Sequence, residues 1–283
     1  MNPLVTPAWL AERLSGSNIV VLDATLPPVG VTPTVDTSAP YLERHIPGAV
    51  FFDIDALSDH STPLPHMLPS PEAFSQAMSS LGVSDQMTIV VYEQEGVFSA
   101  PRAWWMLCTF GARDVYILDG GMHAWTTTGL ATESGPVSRE SATFRATFNP
   151  DAVKDFAQIQ RMIAEHAQIP AQILDARSSG RFTGAAPEPR PGLSSGHMPG
   201  AINTPFTELA ENGRLKSAGK LREYFAAKGV NLELPITTTC GSGVTAAVIA
   251  LGLEVAGAKS ISLYDGSWAE YAQRRQAAIE KTG

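Results

Sequence analysis

The sequence predicts an α/β protein built from two tandem domains, each a mostly parallel sheet flanked by helices. Three observations predict it. Short apolar, β-branched runs alternate with helix-compatible stretches along the chain, the pattern of βαβ units. The pattern occurs twice, because VVLDA (20–24) returns as QILDA (172–176) and RHIPGAV (44–50) returns as GHMPGAI (196–202). The chain has 283 residues, more than one core commonly takes and enough for two.

The elements follow in the same order in each half. NIVVLDA (18–24) and AQILDA (171–176) read as strands that end in Asp-Ala. A loop then leads to H-[IM]-P-G-A and a short apolar stretch. An amphipathic helical pattern comes next, closing at LGV (81–83) and KGV (228–230). A strand follows (MTIVVY; LPITTT), then a helix (APRAWWMLCTF; VTAAVIALGL) and a further strand (DVYIL; SISLY). LDGGMHAW (118–125) and YDGSWAEY (264–271) close the copies. The offset between copies shortens after the H-x-P-G-A landmark. The first half therefore carries extra residues around SDHSTPLPHMLPS (58–70), a Pro-rich loop with His60 and His66. The polar, irregular stretch 131–152 reads as a connection. The expected organisation is an N-terminal domain over 1–133, a linker over 134–152 and a C-terminal domain over 153–283.

Composition narrows the function classes. The chain is 44% hydrophobic and 17% charged, as an ordinary globular protein is. No apolar run reaches the ~18 residues of a membrane span. The N-terminus lacks a basic segment leading into an apolar one, so no secretory signal is expected. A net charge of −8 argues against a nucleic-acid partner. Two cysteines, one per half, make no disulfide framework and suit a reducing, cytoplasmic setting. No metal-ligand spacing and no dinucleotide glycine motif is present, so neither a metal nor a dinucleotide cofactor is expected.

Cys108 lies in the apolar helical run WWMLCTF and reads as a packed thiol. Cys240 lies elsewhere in the grammar, where a strand ends and a helix begins. In open α/β sheets that is where ligands bind. Gly241 and Gly243 permit a tight bend with inward N–H groups, and a helix N-terminus stands behind them. Such a loop stabilises a thiolate or a bound anion. Cys240 aligns near Glu93 in the first half, which has no thiol there, so one active site per chain is expected. A cysteine phosphatase would carry Arg six residues after the cysteine; here that residue is Ala246, and the loop has no other cation. The remaining chemistry is attack on a sulfur atom to give a Cys240 persulfide.

YLERHIPGAVFFDIDALSD, PLPHMLP, FSAPRAWWM, GRF followed by EPRPG, GHMPGA, CGSGVTA and LYDGSWAEY together resemble the tandem rhodanese-domain sulfurtransferases over nearly the whole chain. The resemblance implies two rhodanese-like domains and a catalytic site in the second. It implies a ping-pong reaction without a cofactor, in which Cys240 takes sulfur and passes it to a thiol acceptor, such as a thioredoxin-like one, or to cyanide. Thiosulfate-preferring members carry basic residues after the cysteine, and mercaptopyruvate members carry Gly-Ser, as here at Gly241 and Ser242. The implied donor is therefore 3-mercaptopyruvate, with pyruvate released. The implied persulfide loop is Gly241, Ser242, Gly243, Val244 and Thr245. Arg181 and Arg190 match the family's carboxylate-binding pair, and Asp55, His66 and Ser242 match a proton relay. For that relay, Asp53 competes with Asp55 and His60 with His66. Asp55 also reads as a helix N-cap. Arg102 matches the family without an assigned step. His45, His197, Asp23 and Asp175 recur in both halves and read as structural. A thiosulfate donor, or a carrier module that holds persulfide without catalysis, stand as the alternatives.

Overall fold

A computed structural model of the chain describes residues 2–27, 36–165 and 171–282. It forms two compact units. Unit 1 comprises Met1–Asp59, Leu68–Asn149 and Ala210–Leu215, and unit 2 comprises His60–Met67, Pro150–Leu209 and Lys216–Gly283.

Unit 1 runs β1 (Leu4–Val5), α1 (Pro7–Ala11), β2 (Ile19–Asp23), α2 (Ala39–Glu43), β3 (Val50–Phe51), α3 (Pro71–Ser80), β4 (Thr88–Tyr92), α4 (Ala100–Thr109), β5 (Asp114–Leu118) and α5 (Gly121–Thr127). Its sheet has the order β1-β5-β4-β2-β3, with every pair parallel. The central strands explain this. All of IVVLD in β2 is buried, as is nearly all of TIVVY in β4, so both faces of the sheet are covered. Helix α3 starts where Pro71 follows Ser70, whose hydroxyl accepts from Ala73 N.

Unit 2 repeats the plan with β6 (Val153–Lys154), α6 (Phe156–Ala164), β7 (Gln172–Asp175), α7 (Ser179–Thr183), β8 (Ile202–Asn203), α8 (Ala218–Ala227), β11 (Ile236–Thr239), α9 (Val244–Ala256), β12 (Ile261–Tyr264) and α10 (Ser267–Tyr271). Its sheet order, β6-β12-β11-β7-β8, is that of unit 1 strand for strand, and again all pairs are parallel. The strands β9 (Ala210–Glu211) and β10 (Arg214–Leu215) form a small hairpin that groups with unit 1. Asn212 and Gly213 make its turn, both with positive φ, as a two-residue hairpin requires. Helix α9 is buried almost all round, so it is a core helix rather than an amphipathic surface one.

The H-x-P-G-A repeats do the same structural work in each unit. His45 and His197 are buried, with Nδ1 2.8 Å from the carbonyl oxygens of Tyr41 and Phe182. Each imidazole stacks on the ring of that same residue, at 4.4 and 3.9 Å between centroids. Asp23 is likewise tied down locally, accepting from Thr25 N, Thr25 Oγ1 and Gln94 Nε2.

Chain order and spatial grouping part company at two places. Residues 60–67, from the insertion in the first half, group with unit 2, whereas the β9–β10 hairpin groups with unit 1. The stretch expected as a linker is irregular in backbone but lies along unit 1 as far as Asn149. Ala142 N and Phe144 N donate to Ser79, Thr147 N donates to Phe110 O, and Phe144 is buried. Cys108 departs from expectation outright: it is exposed. Helix α4 buries Trp105, Met106, Leu107 and Thr109, and position 108 falls on the remaining, outward side.

Candidate active site

Cys240 is the residue directly after β11, and Glu93 is the residue directly after β4. The registers make the two positions equivalent, because Asp23 pairs with Tyr92 as Asp175 pairs with Thr239. The following turns agree: Met122 N donates to Glu93 O, and Trp268 N donates to Cys240 O.

The two copies fill this position differently. In unit 1 the Glu93 carboxylate turns back into its own loop. Oε1 accepts from Phe98 N and Ala100 N, and Oε2 accepts from Ser99 N and Ser99 Oγ. Burial raises the Glu93 pKa, against the lowering effect of these hydrogen bonds. The strand-to-helix loop thus holds a carboxyl group on its N–H groups, and in unit 1 that group is part of the chain.

In unit 2 the loop is only Gly241, Ser242 and Gly243 before α9 starts at Val244. Gly243 takes φ 82°, which a residue with a Cβ adopts only at a cost. No side chain caps the helix start. The first-turn N–H groups, those of Val244 and Thr245 among them, have no carbonyl partner within the helix. The loop is anchored by Ala269 N donating to Gly241 O and by Cys240 N donating to Ser267 Oγ at 3.4 Å. Ser267 has φ 48°, and its hydroxyl donates to Tyr264 O at 2.8 Å. Cys240 is 2% exposed, and Ser242, Val244 and Thr245 are also buried.

The two predicted arginines converge on this loop. A Cβ at Gly241 would lie 3.0 Å from Arg181 Nη2 and 3.6 Å from Arg190 Nη1. Arg190 also walls a cleft of about 360 Å³ lined by Pro63, Pro65, Leu193, Ala269 and Gln273. Residues 60–67 bring His66 to the same place, with its Nδ1 3.0 Å from Ser242 Oγ. His66 holds φ 59°, an uncommon backbone state for a residue with a side chain. His60 is exposed.

The remaining relay candidates stand in unit 1. Asp55 is exposed, on the turn after β3, and its carbonyl accepts from Ser58 N. The segment after Asp55 is a turn rather than the helix expected there, and within it Asp53 Oδ1 accepts from Ala56 N. Arg102 is fully buried, and its guanidinium lies 4.6 Å from the Trp105 ring.

Sequence reading missed two residues behind the arginines. Arg177 is fully buried, paired with both oxygens of Asp175 and donating to Gly196 O. It stacks 4.0 Å over the Trp268 ring. Burial works to lower its pKa, but Asp175 and Glu188 outweigh that and raise it. Glu188 in turn accepts from Arg177 Nη1 at 2.8 Å and from Arg181 through Nε and Nη2 at 3.1 and 2.6 Å. The repeat held a signal for Arg177: unit 1 has Asp-Ala-Thr where unit 2 has Asp-Ala-Arg.

The arrangement places Cys240 at a strand-to-helix turn, with two guanidiniums close to the adjacent glycine. It is suited to hold an anionic group beside a nucleophilic sulfur. Among the described residues, no helix is long and apolar enough to cross a membrane.

Comparison with known proteins agrees with this picture. The rhodanese-like domain family model matches twice, over residues 6–128 and 155–274. The chain is 46% identical over 272 residues to the 3-mercaptopyruvate sulfurtransferase of Escherichia coli (strain K12), covering 96% of this chain and 95% of that protein. It is 41% identical over 279 residues to the thiosulfate sulfurtransferase of Bos taurus, covering 96% and 92%. Among solved structures, a crystal structure of a 3-mercaptopyruvate sulfotransferase from Escherichia coli superposes with a TM-score of 0.87 at 44% identity, covering 95% of this chain and 100% of the other.

Proposed function

The chain belongs to the family of proteins with rhodanese-like domains, and from that premise we propose that it is a sulfurtransferase that takes sulfur from 3-mercaptopyruvate. One observation carries the choice of donor. Arg181 and Arg190 stand over Gly241 so closely that a side chain at 241 would meet a guanidinium. The loop therefore has these two guanidiniums beside it, where a ligand carboxylate can meet them, and a side chain at 241 would have to push Arg181 aside. Arg suits a planar carboxylate through paired N–H groups.

In this reading the Cys240 thiolate attacks the thiol sulfur of 3-mercaptopyruvate. A sulfur–sulfur bond forms and the carbon–sulfur bond breaks. Its electron pair goes to the enolate of pyruvate. The proton of the substrate thiol ends on that carbon, giving pyruvate and a Cys240 persulfide. N–H groups of Gly241, Ser242, Gly243, Val244 and Thr245 hold the anionic outer sulfur, in the way that those of unit 1 hold the Glu93 carboxyl group. His66 and Ser242 handle the proton, supported by their 3.0 Å contact. A thiol acceptor, thioredoxin-like or small, or cyanide then attacks the outer sulfur and restores the thiolate. No cofactor takes part. Neither cysteine is in a disulfide, which suits a reducing, cytoplasmic setting.

Thiosulfate is the second reading, because the bovine thiosulfate enzyme is nearly as similar in sequence. The test is direct. Cys240→Ser should lower pyruvate release from 3-mercaptopyruvate by about a thousandfold or more. Retained turnover would remove Cys240 from the chemistry. Wild-type protein should show a higher kcat/KM for 3-mercaptopyruvate than for thiosulfate, and the reverse order would establish the second reading.

A further inference from the structure

We propose that Glu188 determines donor specificity by neutralising Arg181, so that the loop accepts a singly charged donor over a doubly charged one. This rests on the reading of Cys240 as a sulfur-transfer site.

Asp175, Arg177, Glu188 and Arg181 form one hydrogen-bonded chain. It alternates carboxylate and guanidinium, and its four formal charges cancel. Only Arg181 reaches the loop, with Nη2 beside Gly241. Glu188 is 2% exposed and Arg181 16%, so the charge on Glu188 is poorly screened where it acts. Glu188 takes the Nε–H and one Nη2–H, leaving the Nη1–Nη2 edge of the guanidinium for a second planar acceptor.

Charge then discriminates between donors. With its thiol protonated, 3-mercaptopyruvate carries one negative charge, on the carboxylate. Thiosulfate carries two. A cluster that is already balanced compensates one added charge poorly and two more poorly still, because the desolvation penalty rises steeply with charge. Arg190 also stands near Gly241, and the Glu188 variants leave it in place. Removing the charge of Glu188 leaves Arg181 as an uncompensated cation at the mouth of the loop and favours the dianion.

The experiment compares kcat/KM for both donors in wild type, Glu188→Gln and Glu188→Asp. Glu188→Gln should move the ratio toward thiosulfate by about tenfold or more. Glu188→Asp keeps the charge and should hold the ratio within about threefold of wild type. A purely architectural role would lower both donors by the same factor, and an unmoved ratio overturns the proposal. So does an equal shift in Glu188→Asp. If Glu188→Gln does not fold, competition decides. Pyruvate should inhibit wild type and Glu188→Asp more strongly than sulfate at matched ionic strength, and stronger inhibition by sulfate overturns the proposal. A wild-type chain that uses neither donor overturns the sulfur-transfer reading itself, and this proposal with it.

Discussion

At the scale of single residues, the site depends on a missing side chain. Gly241 keeps an ordinary backbone state, so it is not required for a turn; the space its Cβ would fill belongs to Arg181. That guanidinium cannot simply swing away, because Glu188 holds it through two hydrogen bonds. Gly241→Ala should therefore disturb the Arg181–Glu188 pair and lower kcat/KM for 3-mercaptopyruvate about tenfold, mainly through KM. Unchanged KM would mean that Arg181 does not meet the donor. Arg181→Lys is the complementary test. It keeps the charge but loses the planar fork, so Glu188 and a donor carboxylate can no longer share one group. We expect a fall of about 10- to 100-fold in kcat/KM, with a melting temperature near that of wild type, read by steady-state kinetics and thermal unfolding. Full activity in the lysine variant would reduce the role of Arg181 to charge alone.

At the scale of elements, the strand-to-helix turn is the functional unit, and the chain carries two versions of it. The version after β4 spends its N–H groups on Glu93, and the version after β11 places Cys240 at the same point. Glu93→Gln keeps the shape of the side chain but brings an NH₂ against N–H donors, and should destabilise the protein by about 1–3 kcal/mol without touching the sulfur site. The pH dependence has a definite sign. Burial raises the carboxyl pKa in the folded state above its ordinary value of 4.5. The stability from this group is therefore full below pH 4.5 and is lost as pH rises through the raised value. The deficit of Glu93→Gln relative to wild type should shrink from pH 5 to pH 8 in urea unfolding, and a deficit that grows would show the carboxylate to be favoured by folding. Much at this scale was legible in the sequence. The strands, the helix after Cys240 and the equivalence of Glu93 and Cys240 follow from alternation and repeat, because central parallel strands are apolar throughout. The destination of the Glu93 carboxylate was not legible, since a side chain folding back on its own loop leaves no periodic trace. Arg177 and Glu188 escaped for a related reason: their partners lie 2 to 19 residues away and meet only when the loops after β7 close over α7. Cys108 misled because one helical position decides between core and solvent, and WWMLCTF is apolar on both sides of it.

At the scale of the whole molecule, a duplicated fold with two thiols is proposed to do chemistry at one. Both units have the same sheet order, and each unit carries one cysteine. The thiols differ in the way that matters. Cys108 is the more accessible, yet it sits near the C-terminal end of a helix, away from any strand-to-helix turn. Cys240 is nearly inaccessible, yet it has the loop, the helix start and the arginines. Exposure alone would load Cys108 with sulfur; stabilisation of an anionic outer sulfur would load Cys240. Incubation with limiting 3-mercaptopyruvate followed by intact-mass measurement should therefore show the gain of one sulfur atom per chain, with one pyruvate released for each. Peptide mapping should place the sulfur on Cys240. Cys108→Ser should load to the same extent and at the same rate, whereas Cys240→Ser should not load. The same samples treated briefly with a bulky alkylating reagent should be modified first at Cys108, because access governs that reaction and the loop does not. Two sulfurs per chain, or a mapped persulfide on Cys108, would show that an accessible thiol alone suffices and that the architecture around Cys240 is not what selects the site.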